Sequence, residues 1–205
     1  MPRADVDGIV LAGGRSTRFG SEKLAAEFQG SPLLHRAIVR VSQVCDEVVV
    51  VIARAAEEPD LPAGVRVRIA RDAKEGQGPL AGLASGLRST SSKFTLVAAG
   101  DMPDLQVAVL EELIRVAERD QADAVALEEG GSIRPLPAVL RTELARDTAD
   151  ELLAHEERSL RALLDSLDVK VISERRWHEL DPAGLTLYDV DEPNDLDLDR
   201  EQGDT

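Results

Sequence analysis

Five β-branched residues stand side by side in the strand candidate Glu47-Val48-Val49-Val50-Val51-Ile52. A strand that faces water on one side alternates apolar with polar residues, so an unbroken run of this kind belongs to a strand covered on both faces. Residues 6–11 (VDGIVL) and 94–99 (FTLVAA) have the same character, residues 65–70 (VRVRIA) alternate, and residues 122–127 (ADAVAL) supply a fifth strand candidate. Between them, residues 32–44, 79–88 and 105–119 carry apolar positions at helical spacing. The first two open with a proline, which the first helical position tolerates. Strands alternating with helices predict βαβ units, hence an α/β fold whose central sheet is mostly parallel.

The second half of the chain reads as more helical and more charged. Residues 142–154 and 159–167 have helical spacing, and residues 169–172 and 186–190 are short strand candidates. No stretch resembles a linker, so a single domain is expected over residues 1–205, and only the acidic segment after Leu196 has the composition of disorder. With 43% hydrophobic residues the chain can bury one sizeable core. It opens Met1-Pro2-Arg3-Ala4-Asp5 and lacks the roughly 18 uninterrupted apolar residues of a spanning helix, which predicts a cytoplasmic protein without a membrane partner. The one cysteine, Cys45, falls on an amphipathic pattern and reads as a core thiol. A net charge of −15 argues against a nucleic-acid partner, because such affinity comes from Lys and Arg neutralising phosphates. A small phosphate ligand needs only a local concentration of cations, and Arg15, Arg18 and Lys23 provide one.

Those cations lie in Leu11-Ala12-Gly13-Gly14-Arg15-Ser16-Thr17-Arg18-Phe19-Gly20-Ser21-Glu22-Lys23, directly after the first strand. Loops that follow parallel strands form the ligand-binding edge of an α/β sheet. Glycines let backbone N–H groups approach an anion, and Arg18 and Lys23 add positive charge suited to a triphosphate. The spacing fits neither G-x-x-x-x-G-K-[ST] nor G-x-G-x-x-G, so this is a third kind of phosphate loop.

Asp101, in Gly100-Asp101-Met102-Pro103 after the strand at residues 94–99, is placed to hold Mg²⁺, which takes one or two carboxylates plus substrate phosphates; capping of a following helix is the alternative use of such a residue. A second acidic turn, Asp189-Val190-Asp191, makes Asp191 a candidate to share that metal. Gly78, opening Gly78-Pro79-Leu80-Ala81-Gly82-Leu83, begins a helix whose first amides could face a nucleotide, or whose Gly82 and Ala84 could serve close packing on the sheet. Asp72, past the strand at residues 65–70, is a candidate to accept hydrogen bonds from guanine or ribose. His35, His155 and His178 are scattered without ligand spacing, and neither a G-x-S-x-G elbow nor H-E-x-x-H occurs. A phosphate acceptor with a second pKa near 6 is largely dianionic at pH 7 and needs no protein base, so this absence suits phosphoryl chemistry.

Together these residues resemble the nucleotidyltransferases of the nucleotide-diphospho-sugar transferase fold, and within it the molybdenum cofactor guanylyltransferases of MobA type. The resemblance runs through residues 11–23, 78–83 and 100–103, then Arg134-Pro135-Leu136-Pro137-Ala138, residues 159–164 and residues 189–196. It implies a three-layer, Rossmann-like architecture with a nucleotide-binding half at about residues 5–104 and an acceptor-binding half at about 105–198. It implies GTP contacts from Leu11, Ala12, Gly13, Lys23 and Asp72 and Mg²⁺ on Asp101; Gly14 and Gly78 join the nucleotide-binding candidates, and Arg18 and Lys23 are the expected cations of the reaction. The expected activity is transfer of GMP from GTP to the phosphate of molybdopterin or Mo-molybdopterin, by a monomer or weak homo-oligomer. Two alternatives stay open: cytidylyl or guanylyl transfer to another phosphorylated acceptor, and a nucleotide-binding module without turnover.

Overall fold

The computed structural model of the protein describes residues 5–13, 24–72 and 78–190. Its centre is a seven-stranded sheet in the order β5-β4-β1-β6-β8-β7-β9. The strands are β1 (Val6–Leu11), β4 (Val48–Ile52), β5 (Val67–Arg71), β6 (Phe94–Ala99), β7 (Ala124–Glu129), β8 (Ser132–Arg141) and β9 (Val169–Ile172). Strands β5, β4, β1 and β6 are mutually parallel, whereas β8 runs antiparallel to both β6 and β7. All five residues of β4 are buried, as the valine run predicts. Successive strand residues point to opposite faces, and both faces are covered. Val10, Val50, Leu96 and Val125 join α1 (Leu33–Ser42) and α3 (Val107–Asp120) on one side. Ile9, Val49, Val97 and Ala126 join α2 (Pro79–Leu87), α4 (Thr142–Ala154) and α5 (Leu160–Asp165) on the other. The three expected layers are therefore present. Each fully buried Val, Leu or Ile contributes about 1.5–3 kcal/mol of transfer free energy, which makes this double burial the main source of cohesion.

Helix α2 is apolar nearly all round because it lies between the sheet and α4. Its tight contact is at Gly86 rather than at Gly82: a Cβ on Gly86 would stand 2.9 Å from both Ile9 Cδ1 and Val51 Cγ2, whereas one on Gly82 would find its nearest neighbour at 3.8 Å. Cys45 lies just beyond the end of α1 instead of within it, at 1% exposure, and burial, with the Asp7 carboxylate adding, pushes its thiol pKa far up. It is an inert core residue, as expected.

Three features depart from the sequence reading. Residues 132–141 form the longest strand, β8, whose pairing with β7 jumps from Ala126↔Ala138 to Leu127↔Arg134. Pro135 and Pro137 have no N–H to donate, so the residues between those pairs bulge out of the ladder. A small hairpin, β2 (Glu27–Phe28) with β3 (Ser31–Pro32), precedes α1. The strand expected at residues 186–190 is instead a 3-10 turn at Leu185–Leu187 followed by irregular chain. Thr186 explains it: its N–H donates to the buried Asp181 carboxylate at 2.7 Å, and its hydroxyl accepts the N–H of Gln106, the cap of α3, at 3.2 Å. Groups that a sheet ladder would use are engaged elsewhere. Upstream, α6 (Glu174–His178) anchors the same stretch through Trp177, whose indole N–H donates to the Glu128 carbonyl at 2.8 Å. Among the described residues no helix is long and apolar enough to cross a membrane.

Candidate active site

Chain order and sheet order together define where a ligand sits. From β1 the chain builds outward through β4 to β5, then returns to place β6 on the other flank of β1. The gap between the β1 and β6 loops is the topological switch point, where open α/β sheets bind ligands. Hydrogen bonds beyond the ladder hold these ends together: Ala12 N–H donates to the Val51 carbonyl at 2.8 Å, Gly100 N–H to the Leu11 carbonyl at 3.0 Å, and Asp72 N–H to the Ile52 carbonyl at 2.9 Å. Leu11, Ala12, Gly13, Asp72 and Asp101 thus occupy one edge. A Cβ on Gly13 would lie 3.1 Å from the backbone nitrogen of Ala53, a tight contact that a side chain could make only if the backbone gave way slightly. Gly14, Arg18, Lys23 and Asp191 lie outside the described residues.

The two acidic turns meet. Val190 N–H donates to the Asp101 carbonyl at 3.0 Å, and Val190 is fully buried with Phe28 and Leu33 while Tyr188 tilts against Phe28 at 6.4 Å. Residue 190 is therefore pinned to the Asp101 turn, with Asp189 and Asp191 on either side of it in sequence. Sequence reasoning paired the turns by composition alone; the link itself runs through backbone, which no motif signals. An oxygen donor set of this kind, a carboxylate at a strand end completed by substrate phosphates, fits Mg²⁺.

On the far flank, Gly78 caps α2 with φ of +80°, a conformation that favours glycine. A Cβ there would come within 2.9 Å of the Arg158 carbonyl oxygen, and that oxygen accepts the Leu80 N–H at 3.2 Å. One first-turn amide expected to face a ligand is thus taken by the loop between α4 and α5. Glu157 shapes that loop by accepting the N–H groups of Arg158 and Ser159, which hold its carboxyl below the usual range. Ser159 then caps α5 by accepting the Ala162 N–H at 3.0 Å. Leu160, Leu163 and Leu164 of α5 line a small apolar cavity with Pro135 and Leu136 of the β8 bulge and Leu83 of α2. The proline-rich segment expected at the acceptor side therefore adjoins α2 and α5.

Comparisons with known proteins agree with this architecture. The chain is 34% identical over 197 residues to a protein of Chloroflexus aggregans named "Probable molybdenum cofactor guanylyltransferase", covering 94% of this chain and 92% of that one. It is 30% identical over 193 residues to the "Molybdenum cofactor guanylyltransferase" of Desulfosudis oleivorans, covering 94% and 93%. Among solved structures, molybdopterin-guanine dinucleotide biosynthesis protein A of Archaeoglobus fulgidus superposes with a TM-score of 0.75 at 24% identity, covering 93% of this chain and 95% of that one. The 2-C-methyl-D-erythritol 4-phosphate cytidylyltransferase of Thermus thermophilus shares the fold with a TM-score of 0.68 at 17% identity, covering 97% and 96%. Residues 8–171 match the MobA-like NTP transferase domain, and the chain belongs to that family of nucleotidyltransferases.

Proposed function

We propose that the protein transfers GMP from GTP to the terminal phosphate of molybdopterin, or of its molybdenum-loaded form, and releases pyrophosphate. The observation that carries this reading is the meeting of Leu11–Gly13 and the Asp101 turn at the switch point, with Asp72 on the same sheet edge two strands away, in a chain about one-third identical to relatives bearing the guanylyltransferase name.

Leu11 and Ala12 border the nucleotide and the backbone amides of Gly13 and Gly14 receive the triphosphate, while Arg18 and Lys23 neutralise its β and γ phosphates. Asp72 accepts hydrogen bonds from the guanine N1–H and N2–H₂ or from the ribose, and Gly78, exposed at the start of α2, borders the nucleotide. Asp101, helped by Asp191, holds Mg²⁺, which when bound offsets charge on the phosphate oxygens. An acceptor phosphate oxygen forms a bond to the α-phosphorus in line with the bond from that phosphorus to the bridging oxygen. As that bond breaks, its electron pair leaves with pyrophosphate. The acceptor is already dianionic, so the site positions and neutralises without removing a proton. Nucleotide binds over the half built from residues 5–104, and the acceptor enters from the side of residues 134–137 and the loop before α5.

Pyrophosphate release tests the reading directly. Release with GTP plus molybdopterin, with little when CTP replaces GTP or when acceptor is omitted, is the expected result. Preference for CTP would replace the guanylyl assignment by a cytidylyl one, and GTP binding with no release under any condition would leave a binding module.

A further inference from the structure

Arg36, in the first turn of α1, belongs to neither the phosphate loop nor the acidic turns, yet it touches supports of both acidic turns. Its Nη2 donates to Asp104 Oδ1 at 2.5 Å, three residues beyond Asp101, and the two side chains are only 20% and 10% exposed. Its guanidinium carbon stands 5.3 Å over the ring of Phe28, which is itself buried in the hairpin before α1. Phe28 packs against Val190, and Val190 donates back to the Asp101 carbonyl. The contacts close a ring from Asp101 through the turn to Asp104, then Arg36, Phe28, Val190 and Asp101 again. A guanidinium is suited to the centre of such a ring, since its edge serves a carboxylate while its face lies on an aromatic.

We propose that Arg36 is a positioning residue for the cation site: by gripping Asp104 on one side and Phe28 on the other, it fixes the place where the Asp101 turn and residue 190 meet, and so sets the affinity for the divalent ion without touching it. The proposal rests on the reading of Asp101 as a Mg²⁺ ligand. It differs from a purely structural role in a measurable way. An ion pair that only braced the fold would change melting temperature and leave metal affinity of the folded protein alone.

The readout is the factor by which Mg²⁺ tightens GTP binding: the ratio of GTP dissociation constants in EDTA and in Mg²⁺, measured on the full chain without acceptor. The main variant is the double replacement Arg36→Met with Asp104→Leu, because apolar residues of similar volume commonly replace a buried ion pair without loss of stability. Its ratio is expected to fall by about tenfold, within the usual range of coupling between sites, while GTP affinity in EDTA stays at the wild-type value. Arg36→Lys keeps the charge but loses the planar stack, and a smaller fall, about threefold, is expected. A folded double variant with the wild-type ratio overturns the proposal; if that variant does not fold, an unchanged ratio in Arg36→Lys does so. Asp101→Asn is the control. If it too keeps the wild-type ratio, the metal reading of Asp101 fails, whereas collapse of the ratio there with no change in the Arg36 variants refutes the present inference alone.

Discussion

Strands β5, β4, β1 and β6 run parallel and release their loops at one point, whereas β8, β7 and β9 mix directions and include a bulged, proline-bearing strand. In the parallel half, the site is assembled by strand ends tied through backbone hydrogen bonds, so its geometry follows from the sheet itself. The mixed half presents its ligand side through departures from regularity: the bulge at Pro135–Pro137, the Arg158 carbonyl on α2, and the stretch that carries Val190 back to Asp101. Such a division follows a general rule, in which regular scaffolds position a site while irregular segments carry specificity.

The largest expected effect breaks the comparison most directly. Asp101→Asn, a near-isostere on the parallel side, should lower turnover by about 100-fold or more, the scale seen when one preorganised electrostatic group is removed. Its melting temperature should stay at the wild-type value. Retained Mg²⁺-dependent turnover would move the chemistry away from the β6 end. Next comes Gly78→Ala at the seam of the two halves, where a positive φ and the Arg158 carbonyl leave no room for a methyl group. A loss of about 1–3 kcal/mol in chemical denaturation is expected, and an undiminished stability would mean that the seam gives way easily.

Asp72→Ala sharpens the assignment of the base to the parallel half. Guanine donors left without an acceptor should erode the preference for GTP over ATP and CTP by about tenfold in competitive titration. Equal weakening of all three nucleotides would reassign Asp72 to the ribose. The smallest effect concerns the mixed half alone. Hydrogen bonds from Arg115, and the charge of Arg115 and Arg176, hold the Glu112 carboxyl below the ordinary value of 4.5. A carboxyl lowered in the folded state stabilises above pH 4.5, and that stability is lost as pH falls through its folded value. Melting temperature followed from pH 6 to about pH 3 should therefore decline more gently in Glu112→Gln than in wild type. Parallel curves would show that α3 and α6 are joined by packing rather than by this charge network.

Legibility in the sequence followed the same division. The runs at Val6–Leu11 and Phe94–Ala99 announce strands whose bounds the structure reproduces, because double burial leaves each of them a single polar side chain, Asp7 and Thr95. Leu11, Ala12, Gly13, Asp72 and Asp101 could be placed on one edge since each lies at or just past the end of a parallel strand, Asp72 after the alternating β5. By contrast β8 was hidden by its two prolines, which signal a break although the residues around them pair on both sides. Thr186 and Tyr188 carry strand propensity, yet hydrogen bonds to Asp181 and Gln106 and packing on Phe28 override it. The Arg36–Asp104 pair spans elements far apart in the chain, and neither residue belongs to a motif.

The hydrogen bond from Val190 to Asp101 also bears on the order in which competence arises. Contacts local in sequence, such as those of the β1–β4 and β4–β5 units, form early, and contacts between distant segments form late because their loop-closure entropy must be met first. Residues 181–190 follow every strand among the described residues and dock on α3, Phe28 and the Asp101 turn together. The sheet edge proposed to receive the triphosphate can thus be shaped before the neighbour of Asp101 arrives. Docking of this last stretch is the event that separates a folded nucleotide platform from a finished catalyst.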